Sequence, residues 1–196
     1  MIYPEKIFGR LGNKMFQYAY LYAQVRRGEI PDFYLQDPKY FEPFGEEIKQ
    51  LFSEGIAGPA TYLDQVGVHV RRGKNPYIPE EPKYNENPFH FNICDTDYYE
   101  KAMAMFPNEK FVIFTDDVEY CKERFKGENI QVMERGDDIE DFNLLASCKH
   151  LIIANSSYSW WAAYLCPNEK KKIVCPKEWF TDKETRTICP PEWIRI

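Results

Sequence analysis

None of the six cysteines stands in the C-x-x-C spacing that zinc sites and redox motifs use, so neither chemistry is expected. The first residues, Met1 to Glu5, lack the basic segment and apolar core of a signal peptide. No stretch of about 18 apolar residues occurs that could span a membrane. Positive charge is in the minority: 25 Lys and Arg against 31 Asp and Glu leave a formal net charge of -6. Long-range attraction to nucleic acid or to an anionic bilayer is therefore not expected, and an anionic ligand has to be held by local groups. The chain also has no internal repeat. These absences describe a cytoplasmic protein with reduced, buried thiols, one that meets a membrane at most at its periphery.

What is present is a large apolar and aromatic load. Of 196 residues 44% are hydrophobic and 16% are Phe, Trp or Tyr, enough for a sizeable core and too much for a disordered or fibrous chain. From Val66 onward, short β-branched runs alternate with segments of helical period. The runs predict five strands, at Val66 to Val70, Phe111 to Phe114, Ile130 to Met133, Leu151 to Ala154 and Ile173 to Cys175. Helices are predicted between them at Asp97 to Phe106, Val118 to Phe125, Ile139 to Ser147 and Ser157 to Leu165. Such alternation makes an α/β fold with a doubly wound parallel sheet of Rossmann type. The start of the chain reads as a reduced version of the same plan: a strand at Lys6 to Phe8, a turn at Gly9 and Gly12, and a helix from Lys14 to Arg27. A further helix is predicted at Glu46 to Phe52. Gly55 to Pro59 reads as a linker, dividing the chain into a shortened N-terminal half, 1–58, and a Rossmann-like domain, 59–196.

In open α/β sheets ligands sit beyond the carboxyl ends of the strands. Three places qualify: Arg71-Arg72-Gly73-Lys74, Thr115-Asp116-Asp117 and Asn155-Ser156-Ser157. Strand alternation puts His69 and Arg71 on one side, with Arg72 at the exit. Guanidiniums stay charged and grip phosphate oxygens through paired N–H bonds, so the two arginines suit a diphosphate. The other reading is two surface ion pairs beside a core histidine. A strand-end side chain facing a ligand contributes little to packing, so Arg71 is expected to be removable without loss of the fold. Asn155, Ser156 and Ser157 open a helix after an apolar strand, where amides and hydroxyls favour an anion; Ser156 or Ser157 can equally be a plain cap. A cap does not account for the adjacent Trp160 and Trp161.

Gly9-Arg10-Leu11-Gly12-Asn13 also joins strand to helix and allows backbone to approach a phosphate. It lacks the full G-x-G-x-x-G fingerprint and the Lys-Ser/Thr ending of a P-loop. Asp95-Thr96-Asp97 and Asp116-Asp117 each carry oxygen ligands of the kind a divalent cation takes. The first cluster precedes a helical pattern and reads as a cap, whereas the second follows a central strand and keeps a ligand-facing role open.

Taken together and in this order, Gly9-Arg10-Leu11-Gly12-Asn13-Lys14-Met15-Phe16-Gln17, His69-Val70-Arg71-Arg72-Gly73, Phe114-Thr115-Asp116-Asp117 and Ile153-Ala154-Asn155-Ser156-Ser157-Tyr158-Ser159-Trp160-Trp161 resemble the motifs of the α-1,2-fucosyltransferase family. Pro176 and Trp179 follow as that family's closing strand would have them. The resemblance covers nearly all of the second half and, in the first, its start and Tyr34 to Phe52. It implies a GT-B-like fold and metal-independent, inverting transfer of L-fucose from GDP-fucose to the 2-hydroxyl of a β-galactoside, with no cofactor beyond that donor. By the same resemblance Arg71 neutralises the β-phosphate as the glycosyl bond breaks, with His69 and Arg72 supporting the pocket. Gly12, Asn13, Asp116, Asp117, Asn155, Ser156 and Ser157 are implied contacts of GDP-fucose, and Asp141 joins the two aspartates as a candidate base, guanine or ribose contact. The implied partners are the donor and a glycan ending in galactose, without metal or nucleic acid. The sequence departs from the family at Lys14, where Gln is usual, at Lys74, where Asp is usual, and in the short stretch before Gly55. A shortened half leaves aromatic surface for a second copy of the chain to cover. Retention of GDP recognition without transfer is the alternative reading.

Overall fold

The computed structural model describes residues 11–27, 38, 41–55, 63–73, 83–86, 90–134, 136–181 and 188–196. Among the described residues there are six strands: β1 Leu63–Val70, β2 Phe111–Thr115, β3 Ile130–Val132, β4 Cys148–Ile152, β5 Ile173–Cys175 and β6 Ile194–Arg195. The helices are α1 Leu11–Arg27, α2 Gly45–Gly55, α3 Tyr98–Ala104, α4 Val118–Arg124, α5 Asp138–Ala146 and α6 Ser157–Leu165. Every ladder is parallel and the order is β3-β2-β1-β4-β5-β6, so the expected GT-B-like α/β class holds. The winding direction reverses between β1 and β4, which pair at Val68 and Ile152, and that reversal leaves a crevice at their carboxyl ends.

Strand alternation divides the interior between two faces. Val66, Val68, Val70, Ile113, Ile152 and Ala154 face α3, where they pack with Tyr98, Tyr99 and Ala102. Val112, Phe114, Leu151 and Ile153 face the other way, toward α5 and α6. On that side α6 is a middle layer: Ser159, Trp160, Trp161, Ala162 and Ala163 are all buried, because α1 and α2 cover its outer surface. A helix that is apolar nearly all round needs such a position. This accounts for the tryptophan pair, which is core rather than ligand surface; Phe16 packs at 4.7 Å from Trp160 and 5.0 Å from Trp161 between ring centroids. The covering face of α1 repeats at helical spacing through Met15, Phe16, Ala19 and Ala23, and Ile48 of α2 joins the same core.

Two buried tyrosines secure the carboxyl edge of the sheet. The Tyr98 hydroxyl lies 2.7 Å from the Ile153 carbonyl and 3.1 Å from that of Val174, and Tyr99 donates to the His69 carbonyl at 3.1 Å. Strand ends are where ladder bonds run out, so these hydroxyls supply the donors that buried carbonyls need. All six cysteines are free and buried; burial pushes the Cys94 and Cys148 thiols up to about 12 and Cys121 to about 11. Among the described residues no helix is long and apolar enough to cross a membrane.

The differences from the sequence reading have local causes. The fourth strand begins at Cys148 rather than Leu151, because Cys148 and His150 pair with β1 and the half-buried Lys149 and His150 carry no hydrophobic signal. A sixth strand, β6, was not among the five expected; two residues pairing with β5 carry no periodic signal. At the start of α3 Asp97 makes no side-chain cap bond, and the Thr96 hydroxyl accepts from the Tyr98 N–H instead, while Asp97 pairs with Lys101 at 2.9 Å. The predicted strand at Lys6 to Phe8 and the linker beyond Gly55 lie outside the described residues.

Gly12 is fixed by the approach of α1 to α6. A Cβ there would stand 2.5 Å from the Ser157 carbonyl carbon and 2.6 Å from the Tyr158 nitrogen, both rigid backbone. Gly12→Ala is therefore expected to lower stability by about 1–3 kcal/mol, the usual cost of overpacking, seen as a reduced urea midpoint at unchanged slope.

Candidate functional site

The exits of β1 and β2 supply two cations and two anions that meet at the crevice. Arg71 is ion-paired to Asp116, and Arg72 to Asp117 through an Nη1–Oδ2 distance of 2.6 Å. Each guanidinium also lies over a ring: Arg71 over Tyr84 at 5.0 Å, Arg72 over Tyr120 at 4.2 Å. The pairs stand at the sheet rim rather than inside an apolar core, but they are not loose surface pairs, since only 12% of the Arg71 side chain and 10% of that of Asp116 is exposed. The expectation that Arg71 hardly contributes to packing is corrected accordingly. Burial pulls the Arg72 guanidinium down, but the hydrogen bond and charge of Asp117 outweigh it and leave the group raised.

The two aspartates serve the scaffold. Asp116 Oδ1 accepts from the backbone N–H of Arg72 at 2.8 Å and of Gly73 at 2.9 Å, so it shapes the turn that presents the arginines. Gly73 is required there, since a Cβ would stand 2.8 Å from the Asp116 carbonyl oxygen. Asp117 is the N-cap of α4, accepting from the Tyr120 N–H at 3.3 Å while its other oxygen holds Arg72. Asp116 and Asp117, expected as contacts of a ligand, both accept from this chain's own donors.

At the β4 exit Asn155 is likewise internal. Its side-chain amide donates to the Phe91 carbonyl at 2.7 Å and the Trp179 carbonyl at 3.0 Å, and its own carbonyl accepts from the Tyr84 hydroxyl. Ser156 is the N-cap of α6 but makes no cap bond through its side chain. Ser157 donates to Asn13 Oδ1 at 2.7 Å, and with Gly12 against the same turn the N-termini of α1 and α6 converge. Convergent helix N-termini concentrate partial positive charge where an anion is stabilised. His69 is buried on the α6 side, its ring 5.3 Å from that of Tyr158. Thus β1, β4, α1 and α6 bring together Arg71, Arg72, His69, Gly12, Asn13, Asn155, Ser156 and Ser157. Asp141, in α5, accepts from the Gly136 N–H at 3.3 Å. Lys14 is exposed, and Lys74 is outside the described residues. Among those residues no group of three or more His, Cys, Asp or Glu is placed to hold a metal ion.

Residues 42–196 match the family described as Glycosyl transferase family 11. The chain belongs to that family. The O-antigen biosynthesis glycosyltransferase WbnK of Escherichia coli is 30% identical over 194 residues, covering 88% of this chain and 62% of that protein. The alpha-1,2-colitosyltransferase of Escherichia coli is 28% identical over 184 residues, 82% of this chain and 60% of its own length. The galactoside alpha-(1,2)-fucosyltransferase 2 of Rattus norvegicus is 33% identical over 132 residues, 61% of this chain and 35% of that protein. The chain thus spans about three fifths of the length of the two bacterial relatives and about a third of the rat protein.

For a member of this family, the residues that sequence reasoning missed are the aromatic ones beneath the arginines. Tyr120 was within reach, being the third residue after Asp117 on a helix start, where side chain and cap adjoin. Tyr84 and His90 had no such signal. They lie in a stretch without periodicity, and only the fold stacks them, at 4.4 Å between centroids, beside Arg71. Burial, and secondarily the charge of Arg71, lowers His90 to about 4, so this imidazole is neutral at neutral pH.

Proposed function

We propose that this protein is an inverting, metal-independent glycosyltransferase that moves L-fucose from GDP-fucose to the 2-hydroxyl of a β-galactoside. The observation that carries the proposal is the arginine pair at the end of β1, beside the point where the strand order reverses: two guanidiniums held in place by carboxylates and rings at the position where doubly wound sheets take nucleotides. As the bond between fucose C1 and the β-phosphate oxygen breaks, negative charge grows on the departing GDP, and preorganised donors stabilise it more than they stabilise the ground state. The acceptor oxygen forms the new bond to C1 from the opposite side and gives up its proton to a base. Arg71 and Arg72 fill the role that a divalent cation fills in other transferases. The names of the relatives support this reading, two of them carrying an α-1,2 linkage and one of those colitose in place of fucose.

GDP is expected to raise the melting temperature without magnesium, adding roughly 2.7 kcal/mol at about 100 times its dissociation constant, and UDP much less. Equal shifts with both nucleotides would reject the guanine assignment, and loss of the shift in EDTA would reject metal independence. Incubation of GDP-fucose with lactose, followed by mass spectrometry, reads transfer directly. Because both guanidiniums are already held by carboxylates, a second reading is recognition of a GDP-sugar without transfer, which predicts the thermal shift and no fucosylated lactose.

A further inference from the structure

We infer that Tyr84 is a positioning residue for Arg71, carrying the guanidinium on its ring face and fastening the β1 exit to the β4 exit. Four contacts converge on it. Its backbone N–H donates to the Gly73 carbonyl at 3.2 Å, which ties the 3-10 turn Tyr84–Glu86 to the end of the arginine segment. Its ring lies 5.0 Å from the Arg71 Cζ, within the range where a cation is held by the negative face of an aromatic. Its hydroxyl donates to the Asn155 carbonyl, beside the start of α6. The same oxygen is 3.1 Å from His90 Nδ1.

The last two contacts place a proton on Nδ1 of the histidine. The hydroxyl has one proton, and a carbonyl can only accept, so the proton goes to Asn155 and the Nδ1–H of His90 donates back to Tyr84. A neutral imidazole does this without setting a second positive charge beside Arg71, and His90 is held neutral by its burial. His90 is itself fixed by a bridge to Phe180 and by ring contact with it at 6.0 Å. Asp116 meets Arg71 as its ion-pair partner, so the guanidinium is located by a carboxylate and a ring together. A long side chain at a strand end otherwise samples several rotamers, and each wrong one takes the donors away from a ligand.

Side-chain N–H correlation NMR on the full chain tests this without any ligand. The Arg71 Nε–H signal, assigned by its loss in Arg71→Lys, is expected to carry a ring-current shift in the wild type. In Tyr84→Leu it is expected to move toward the position of a free arginine. Tyr84→Phe fills the same space and serves if the leucine variant does not fold; it keeps the ring, cuts the ties to Asn155 and His90, and is expected to broaden the signal. A Tyr84 that merely stabilises the fold lowers the melting temperature and leaves the signal in place. An unmoved signal in folded Tyr84→Leu, or unchanged shift and width in Tyr84→Phe, overturns the inference.

A second readout rests on the diphosphate reading above. Titration calorimetry with pyrophosphate and with GDP is expected to show affinity about tenfold weaker in Tyr84→Leu than in the wild type. A wild-type protein that binds neither probe removes the diphosphate reading, while the NMR result decides the positioning role on its own.

Discussion

Asp116→Ala is expected to lower the unfolding free energy by about 3–5 kcal/mol, the cost of leaving a buried charge without its partner. The Asp116 side chain faces the Arg71 guanidinium and accepts from two backbone N–H groups, so alanine strands three donors at once. Domains of this size hold a margin of about 5–15 kcal/mol, so the loss is a large fraction of the total. Thermal unfolding is the measurement, with a decrease of roughly 10 °C expected. Asp116→Asn separates the two contributions: its amide oxygen still accepts from Arg72 and Gly73, while an NH2 group replaces the oxygen facing Arg71, so the charge and the acceptor for the guanidinium are both gone. A smaller decrease in Asn than in Ala supports the scaffold role; a wild-type melting temperature in Ala rejects it.

The second large effect is on transfer. Arg71→Ala is expected to reduce single-turnover fucosyl transfer by at least about a hundredfold, the loss seen when one preorganised donor to a developing anion is removed. Because Arg71 also satisfies Asp116, the alanine variant loses stability too, and activity has to be expressed per folded molecule. Arg71→Lys supplies the comparison. It keeps the charge but not the planar fork, and a fork matters both for two parallel bonds to phosphate and for the contact over the Tyr84 ring. Folded Arg71→Ala with wild-type turnover would assign the arginine to structure alone.

These two predictions share one cause. Among the described residues, Arg71 and Arg72 are balanced in advance by Asp116 and Asp117, on a chain whose net charge is -6. Each pair offsets the charge of its guanidinium and holds it in place. On the diphosphate reading proposed above, an incoming anion would meet oriented donors rather than mobile ones.

Much of this architecture was legible in the amino-acid order. The apolar runs at Val66 to Val70 and Phe111 to Phe114 are strands, and the chemistry-bearing residues follow them directly, because strand periodicity and strand ends are local properties. The same holds for α6, whose start and end were both read correctly from Ser157 and Leu165. Tertiary structure decided the rest. Arg72 meets Asp116 across 44 residues, and Tyr84 meets Asn155 across 71, distances at which no periodic signal survives. The sequence could offer Arg71, Arg72, Asp116 and Asp117 as two sets of ligand contacts; only the pairing of β1 with β2 in register turns them into partners of one another. In the same way the adjacent Trp160 and Trp161, which a helix cap does not account for, are explained by the cover that α1 and α2 give them. Local order set which residues reach the carboxyl edge of the sheet, and long-range packing set what each of them touches there, because burial forces every charge on that edge to find a counterpart.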